Sequence, residues 1–263
     1  MTSISFAVTD STTMLRRNLR HMQRYPSLTA ILIGMPVVFL LLFVFVLGDT
    51  MGAGLGGPTG GRADYLDYVV PGILLIAIAS ATQGTAISVA TDMTEGIIDR
   101  FRTMAITRTA VLTGHVIGSV IQTMLCTGVV IAVAVAIGFR PTAGLVEWLA
   151  AIGMLGATSL ALTWIAVALG MGAKSVETAS NSPMILILLP FFGSAFVPPE
   201  SLPPALRWFA EHQPFTPIIE TLRGLLTGTP IGHSGAIALT WCVGLTALGY
   251  LRARQCYDRR ALR

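Results

Sequence analysis

Residues 52–57 read GAGLGG, the spacing in which three glycines let a backbone wrap the pyrophosphate of a dinucleotide at a helix N-terminus. That cradle needs a strand before it and a helix after it. Here the glycines follow a long apolar run and lead into Pro58, so Gly52 to Gly61 are expected to form a flexible outer loop that holds no nucleotide. GMGAKS at 170–175 approaches a phosphate-binding loop, but Ala168 and Ala173 stand where its two glycines are required. Ser194 follows Gly193 without a histidine at the same depth to act as its base, and no H-E-x-x-H pair offers zinc a site. His21 lies in a basic start, and His212 and His233 lie in a polar stretch between apolar runs. His115, at the edge of a run, is either a satisfied interfacial residue or a proton relay. Cys126 and Cys242 fall inside apolar runs and Cys256 in a basic tail, so neither a disulfide framework nor a metal centre is expected. On this reading the chain carries no catalytic residue, metal ligand or cofactor of its own.

The elements that would position any chemistry are overwhelmingly apolar. Of 263 residues, 53% are hydrophobic and 11% charged, with a mean hydropathy of +0.73; soluble domains are about a quarter charged. A helix needs about 20 residues to cross roughly 30 Å of hydrocarbon. Runs of that length fall near 28–48, 69–91, 114–138, 148–172, 179–197 and 235–251. The expected fold is an all-α integral membrane protein with six transmembrane helices in one domain, residues 1–263. The first run is read as an anchor, since no small-residue cleavage site follows it. Pro183 and Pro190 interrupt the fifth run, which should bend or break near Pro190.

Six crossings put both termini on one side. Arg16, Arg17, Arg20, Arg24, Arg100, Arg102, Arg108, Lys174, Arg252, Arg254, Arg259, Arg260 and Arg263 then share one face, against Arg62, Arg140, Arg207 and Arg223 on the other. The excess makes the first face cytoplasmic, in the plasma membrane. With the basic residues flanking spans, nucleic acid is not an expected partner. Small residues four apart, Gly153, Ala157 and Ala161 in the fourth run and Gly114 and Gly118 in the third, suit close helix packing within one subunit or at a dimer seam.

Three segments lie outside the runs. Residues 10–25 read as a basic amphipathic helix in the membrane interface, capped by Asp10 or Ser11, with Leu15, Leu19 and Met22 on its apolar stripe and Pro26 at its end. It serves either as an orientation signal or as a lever joined to the first span. On the cytoplasmic side, Ile97, Phe101 and Met104 recur at helical spacing while Glu95, Asp99 and Arg102 take another face. Such a helix either rests on lipid or offers a soluble partner Phe101 as anchor with Asp99, Arg100 and Arg102 as its rim. Residues 198–234 predict two short outer helices parted at Pro214, near 204–212 and 217–226, the second with Ile218, Leu222 and Leu225 on a stripe. Trp208 suits the interface, so the pair forms either a re-entrant hairpin over an exit path or a small lid.

Inside the runs the polar side chains are few. Gln83, Gln122 and Asn181 serve either as packing partners or as lining of a path. Ion-coupled transport needs titratable groups at depth, and no Asp or Glu lies within any of the six runs. An intramembrane enzyme would need a nucleophile and a base at one depth, which the runs do not supply. The remaining energy source is a cytosolic partner acting through the 95–104 helix. A scaffold for such a partner with no cargo of its own, or an ion-coupled secondary transporter, are the alternatives.

At EGIIDRFRTMAITRTAVLTG and again at NSPMILILLPFFGSAFVPPESLPPALRWFAEHQPFTPIIETLRGLLTG, the sequence resembles the ABC-2 exporter permeases, in particular the daunorubicin-resistance type. The resemblance covers essentially the whole chain. It implies a permease that pairs with a second copy or a paralogue and with separate ATP-binding subunits, on which ATP and Mg would bind. It also implies that the helix after the second span is a coupling helix, with Glu95, Gly96, Asp99, Arg100, Phe101 and Arg102 at the docking surface. The outer helices, with Trp208, Phe209, Phe215 and Leu222, would lie near the exit. Family members export cargo ranging from drug-like compounds to lipids.

Overall fold

The computed structural model of the chain describes residues 26–56, 61–94 and 108–261, and side chains from 32 to 55, 61 to 94 and 116 to 257. Among these residues every regular element is helical. The amphipathic segment 10–25 and the docking residues Glu95, Gly96, Asp99, Arg100, Phe101 and Arg102 lie outside them.

Among the described residues, five helices are long and apolar enough to cross a membrane: Leu32–Leu55, Arg62–Thr94, Val116–Ala136, Leu145–Gly172 and Ser234–Tyr257. The first is a composite rod of α1 (Pro26–Leu42), a π-helical turn (Phe43–Leu47) and α2 (Gly48–Gly56). α2 corrects the expectation of a glycine loop. Met51 and Leu55 pack against the apolar core and hold Gly52 to Gly56 helical, and Arg62, at the start of the next helix, donates to Asp49 at 3.2 Å. A helix therefore does follow GAGLGG, at Arg62, but the pattern sits within and after a helix, where no strand delivers it.

α3 (Arg62–Thr94) is the centre of the bundle. From Val69 to Ala79 every side chain is buried, and helices α1, α2, α4 (Arg108–Ala136) and α5 (Leu145–Gly172) all pack on it. A helix apolar on all sides is one meant to be surrounded. Its 33 residues give a length of about 50 Å at 1.5 Å per residue, well beyond the hydrocarbon thickness. The helix thus outruns the expected 69–91 at both ends and takes in Asp64, Asp67 and the buried Asp92, so carboxylates do occur in this helix, near its termini.

α10 (Ser234–Ala261) also exceeds expectation, continuing ten residues past Leu251 into the basic tail. The cause is packing: Ala253 and Tyr257, one turn apart, are buried against Trp164, Val167 and Met171 of α5 and Val89 of α3. α10 and α5 form the most extensive helix pair in the structure. They approach where Gly249 lies against the backbone of Trp164 and Ile165, and α5 meets α3 where Gly170 lies against Ala86. Of the small-residue row of the fourth run, Ala161 is buried within the bundle, whereas Gly153 is exposed with nothing near it.

The fifth run is broken. Ser175 caps α6 (Val176–Asn181) by accepting from the Thr178 amide at 3.3 Å; a turn through Ser182 and Pro183 leads to α7 (Met184–Leu188), which tightens into a 3-10 turn at Leu189–Phe192. The break expected at Pro190 is present as that 3-10 turn, and Pro183 adds an earlier one, since its nitrogen has no proton to give the Ala179 carbonyl. A further 3-10 turn (Pro199–Ser201) leads to α8 (Pro204–His212) and α9 (Phe215–Thr227), close to the bounds expected for the two outer helices.

Candidate functional site

The broken segment runs antiparallel along α3. Near its start, Ala179 belongs to the same buried cluster as Ala90. Higher up, the Gln83 amide donates to the Ser180 carbonyl at 2.9 Å and reaches the Ser180 hydroxyl at 3.4 Å. Ser180 lies in the last turn of α6, where a carbonyl has lost its onward helical donor, and Gln83 supplies a replacement. Past the 3-10 turn, Ala195 presses on Gly72, where a Cβ would lie 2.6 Å from the Ala195 methyl. Only glycine admits that approach. The chain thus climbs α3 from position 90 to position 72, about 27 Å at 1.5 Å per residue.

Of the three amides expected to line a path, Gln83 is spent on Ser180, and Asn181, the next residue along, is exposed. Gln122 is half-buried on α4 and bonds to neither.

At the far end of the bundle, α9 packs on α3, α5 and α10, and the Thr142 amide donates to the Leu226 carbonyl at 3.0 Å, tying in the connection after α4. Gly228, with φ +75°, closes α9 by returning its amide to the Gly224 carbonyl at 2.9 Å. The expected stripe is real: Ile218 and Leu222 are buried and Leu225 half-buried. The four hairpin residues divide between two roles. Phe215 and Leu222 enter the core, whereas Trp208, 63% exposed and stacked on His212, and Phe209 face outward. Arg207 and Glu211 make an exposed ion pair at 2.7 Å on the same helix.

Arg223 is the residue that sequence reasoning passed over, having counted it only toward topology. Its Nε and Nη2 donate to the Tyr68 carbonyl at 3.3 and 3.2 Å, and Nη2 donates to the Ser194 carbonyl at 2.6 Å. Its guanidinium also lies 3.7 Å from the centre of the Tyr68 ring. Burial lowers its pKa from the ordinary arginine value, while Tyr68 and Glu220 pull the other way. Nearby, the Ser194 and Thr216 hydroxyls and both amide atoms of Gln213 are buried without a hydrogen-bond partner among the described residues. Gln213 and Thr216 both crowd Gly193, where a Cβ would lie 2.9 Å from Thr216 Oγ1. The available signal was an arginine inside the apolar stripe IIETLRGLL, where a merely solvated one has no reason to sit.

Beneath this polar group the return segment, residues 193–198 after the 3-10 turn, is fastened by aromatic rings. Phe196 stacks on Phe191 at 4.8 Å and on Phe43 at 4.0 Å, and Phe191 meets Phe39 edge-on at 5.8 Å. Phe43 opens the π turn, so the irregular turn of the first rod and the broken fifth segment meet at one place. Among the described residues no group of three or more His, Cys, Asp or Glu converges to hold a metal ion.

A helical bundle with several membrane-length rods, one broken helix packed along the central rod and a helical hairpin at one end is the form of an integral membrane protein. The sequence profile of the ABC-2 type transporter family matches residues 9–227, and the chain belongs to that family. It is 28% identical over 243 residues, 92% of this chain and 83% of the relative, to the daunorubicin resistance ABC transporter permease protein DrrB1 of Streptomyces coeruleorubidus. It is 24% identical over 231 residues, 83% and 80% of the two chains, to the probable doxorubicin resistance ABC transporter permease protein DrrC of Mycobacterium tuberculosis. The chain is therefore a transmembrane subunit of the ABC exporter type, a kind that is generally non-catalytic and normally works with a cytosolic ATP-binding subunit.

Proposed function

We propose that the chain, acting as one domain, moves hydrophobic or amphiphilic cargo, drug-like or lipid, outward across the plasma membrane when a cytosolic subunit binds ATP together with Mg and hydrolyses the ATP. The observation that carries this reading is the family match over residues 9–227, joined to relatives whose names place them in daunorubicin and doxorubicin resistance. The exposed apolar side chains of the outermost helices, among them Val46, Leu145, Val146 and Val243, suit lipid or a second permease subunit.

In this reading the chain crosses six times and both termini are cytoplasmic. The helical stretch Val176–Phe192 is short, but its climb of about 27 Å along α3 matches the hydrocarbon thickness, which supports counting it as the fifth crossing. The outer hairpin then lies at the end of the bundle away from Arg252 and Arg254. Glu95, Gly96, Asp99, Arg100, Phe101 and Arg102 form the coupling helix that the ATP-binding subunit grips; closure of two such subunits drags two permeases between inward and outward exposure. Gln83, Gln122 and Asn181 line the path, and Trp208, Phe209, Phe215 and Leu222 build its outer cap.

Reconstitution tests it. The chain co-expressed with a cytosolic ATP-binding subunit of the same exporter class should expel a fluorescent amphiphile from vesicles only with ATP, and neither subunit alone should do so. ATP hydrolysis that never moves or responds to any amphiphile would make the chain a scaffold, and uphill export by the chain alone under a proton gradient would make it a secondary transporter.

A further inference from the structure

We propose that Arg223 is the latch of the outward gate, holding the hairpin α8–α9 closed over the return segment 193–198. The inference rests on the exporter reading above. One side chain joins three elements: it sits on α9, its donors reach the Tyr68 carbonyl of α3 and the Ser194 carbonyl of the return segment, and its charge lies on the Tyr68 ring. Among the described residues it has no carboxylate in ion-pair range; Glu220, one turn earlier, is engaged instead by the Ser234 hydroxyl at 2.8 Å. A guanidinium held by carbonyls and a ring can be let go without stranding a buried anion, because released carbonyls accept water. A permanent staple would use a carboxylate; this arrangement suits a contact that opens and closes.

The same seam is frustrated in its closed form. Gln213 and Thr216 on the hairpin side and Ser194 on the return side are each at least 95% buried, yet their side-chain polar atoms lack partners. Unmade hydrogen bonds of buried groups oppose closure. Opening would satisfy them with water or with cargo. An amide and two hydroxyls, all uncharged, fit the hydroxyl- or carbonyl-bearing part of an amphiphile leaving the membrane. Arg223 is thus a positioning residue whose bonds offset the frustration at rest, while the ATP-driven movement of the subunits breaks them.

The test uses the full complex in vesicles, with the three native cysteines replaced by alanine and Ser194→Cys as reporter. An impermeant thiol reagent applied from outside should modify this cysteine slowly at rest and faster with a non-hydrolysable ATP analogue. Arg223→Met should raise the resting rate about tenfold or more, the shift expected from losing one charge-assisted hydrogen bond, and Arg223→Lys should fall between. Equal rates in wild type, Lys and Met forms would overturn the latch, as would a wild-type rate indifferent to nucleotide. Assembly with the ATPase, checked by co-purification, separates opening from misfolding; should Arg223→Met fail to assemble, Arg223→Lys carries the same comparison. Because the readout needs no cargo, failure to export would count against the exporter reading and leave the latch result standing.

Discussion

Gly249 sets the distance between α10 and α5, and its replacement by alanine should loosen the bundle measurably. A Cβ there would lie 2.7 Å from the Trp164 carbonyl carbon and 2.8 Å from the Ile165 nitrogen, backbone atoms that cannot rotate away. Carbon contacts settle at about 3.5–4.0 Å, so α10 must retreat by roughly 0.7–1.3 Å. Overpacking of this size costs about 1–3 kcal/mol. Alanine also favours helix over glycine by about 1 kcal/mol, which hides part of the loss. Gly244→Ala removes that ambiguity, because Gly244 lies five residues earlier on the same helix with nothing within 4 Å of its added methyl. Both variants gain the same helix preference, and only one meets a neighbour. The difference between them should therefore be about 1–3 kcal/mol, with Gly249→Ala the less stable. The retreat would also disturb the Trp164–Tyr250 ring pair, edge-on at 5.1 Å, so tryptophan fluorescence reports it directly. Unfolding of the purified full chain in mild detergent by added SDS, followed by fluorescence and by circular dichroism, gives the two midpoints. Coincident midpoints for Gly249→Ala and Gly244→Ala would refute the claim that glycine-mediated contact fixes this seam.

Gln83→Leu should destabilise the broken segment by about 0.5–2 kcal/mol, the usual range for an interhelical hydrogen bond in a membrane, and should raise the hydrogen-exchange rate of the amides around Ser180; unchanged exchange would mean Gln83 contributes nothing to holding the break. Replacing Phe101 by alanine or reversing Asp99 to arginine should abolish ATP-dependent export and co-purification of the ATP-binding subunit while membrane insertion stays normal, and normal export by both would remove the docking assignment. Cys256, half-buried near the end of α10, should react with an impermeant maleimide in inside-out vesicles and not in sealed right-side-out ones, whereas buried Cys126 and Cys242 stay silent in both; labelling from the outside would put the tail on the wrong face for six crossings.

How much of this was legible in the chain depends on what each signal measures. Apolar length located the rods, because hydrocarbon thickness is a constraint that acts on composition alone. It misjudged their ends, because helices do not stop where lipid does. α3 outlasts the membrane at both ends, and α10 continues through Arg252 and Arg254 because Ala253 and Tyr257 find α5 there. Ala253 and Tyr257 stand one turn apart in the sequence, but among arginines such a pair reads as part of a basic tail. Gly52 to Gly56 was misread for the opposite reason: glycine is permissive, and Met51 and Leu55 packing on the core decided the conformation locally unreadable residues take.

The outer cap shows where reading along the chain reaches its limit. The two helices were visible from Pro204, Pro214 and the spacing of Ile218, Leu222 and Leu225, since turns and stripes are local facts. Arg223 acquires its meaning from Tyr68 and Ser194, 155 and 29 residues away, and from Glu220 being occupied elsewhere. No local pattern encodes that. The same holds for Gly72, whose lack of a side chain matters only because Ala195 arrives against it. In this fold the rods are written in composition and the contacts that join distant segments are written in pairings. Arg223→Lys, which keeps the charge, should therefore leave insertion intact and, on the latch proposal, change only the resting rate at which Ser194→Cys is labelled from outside.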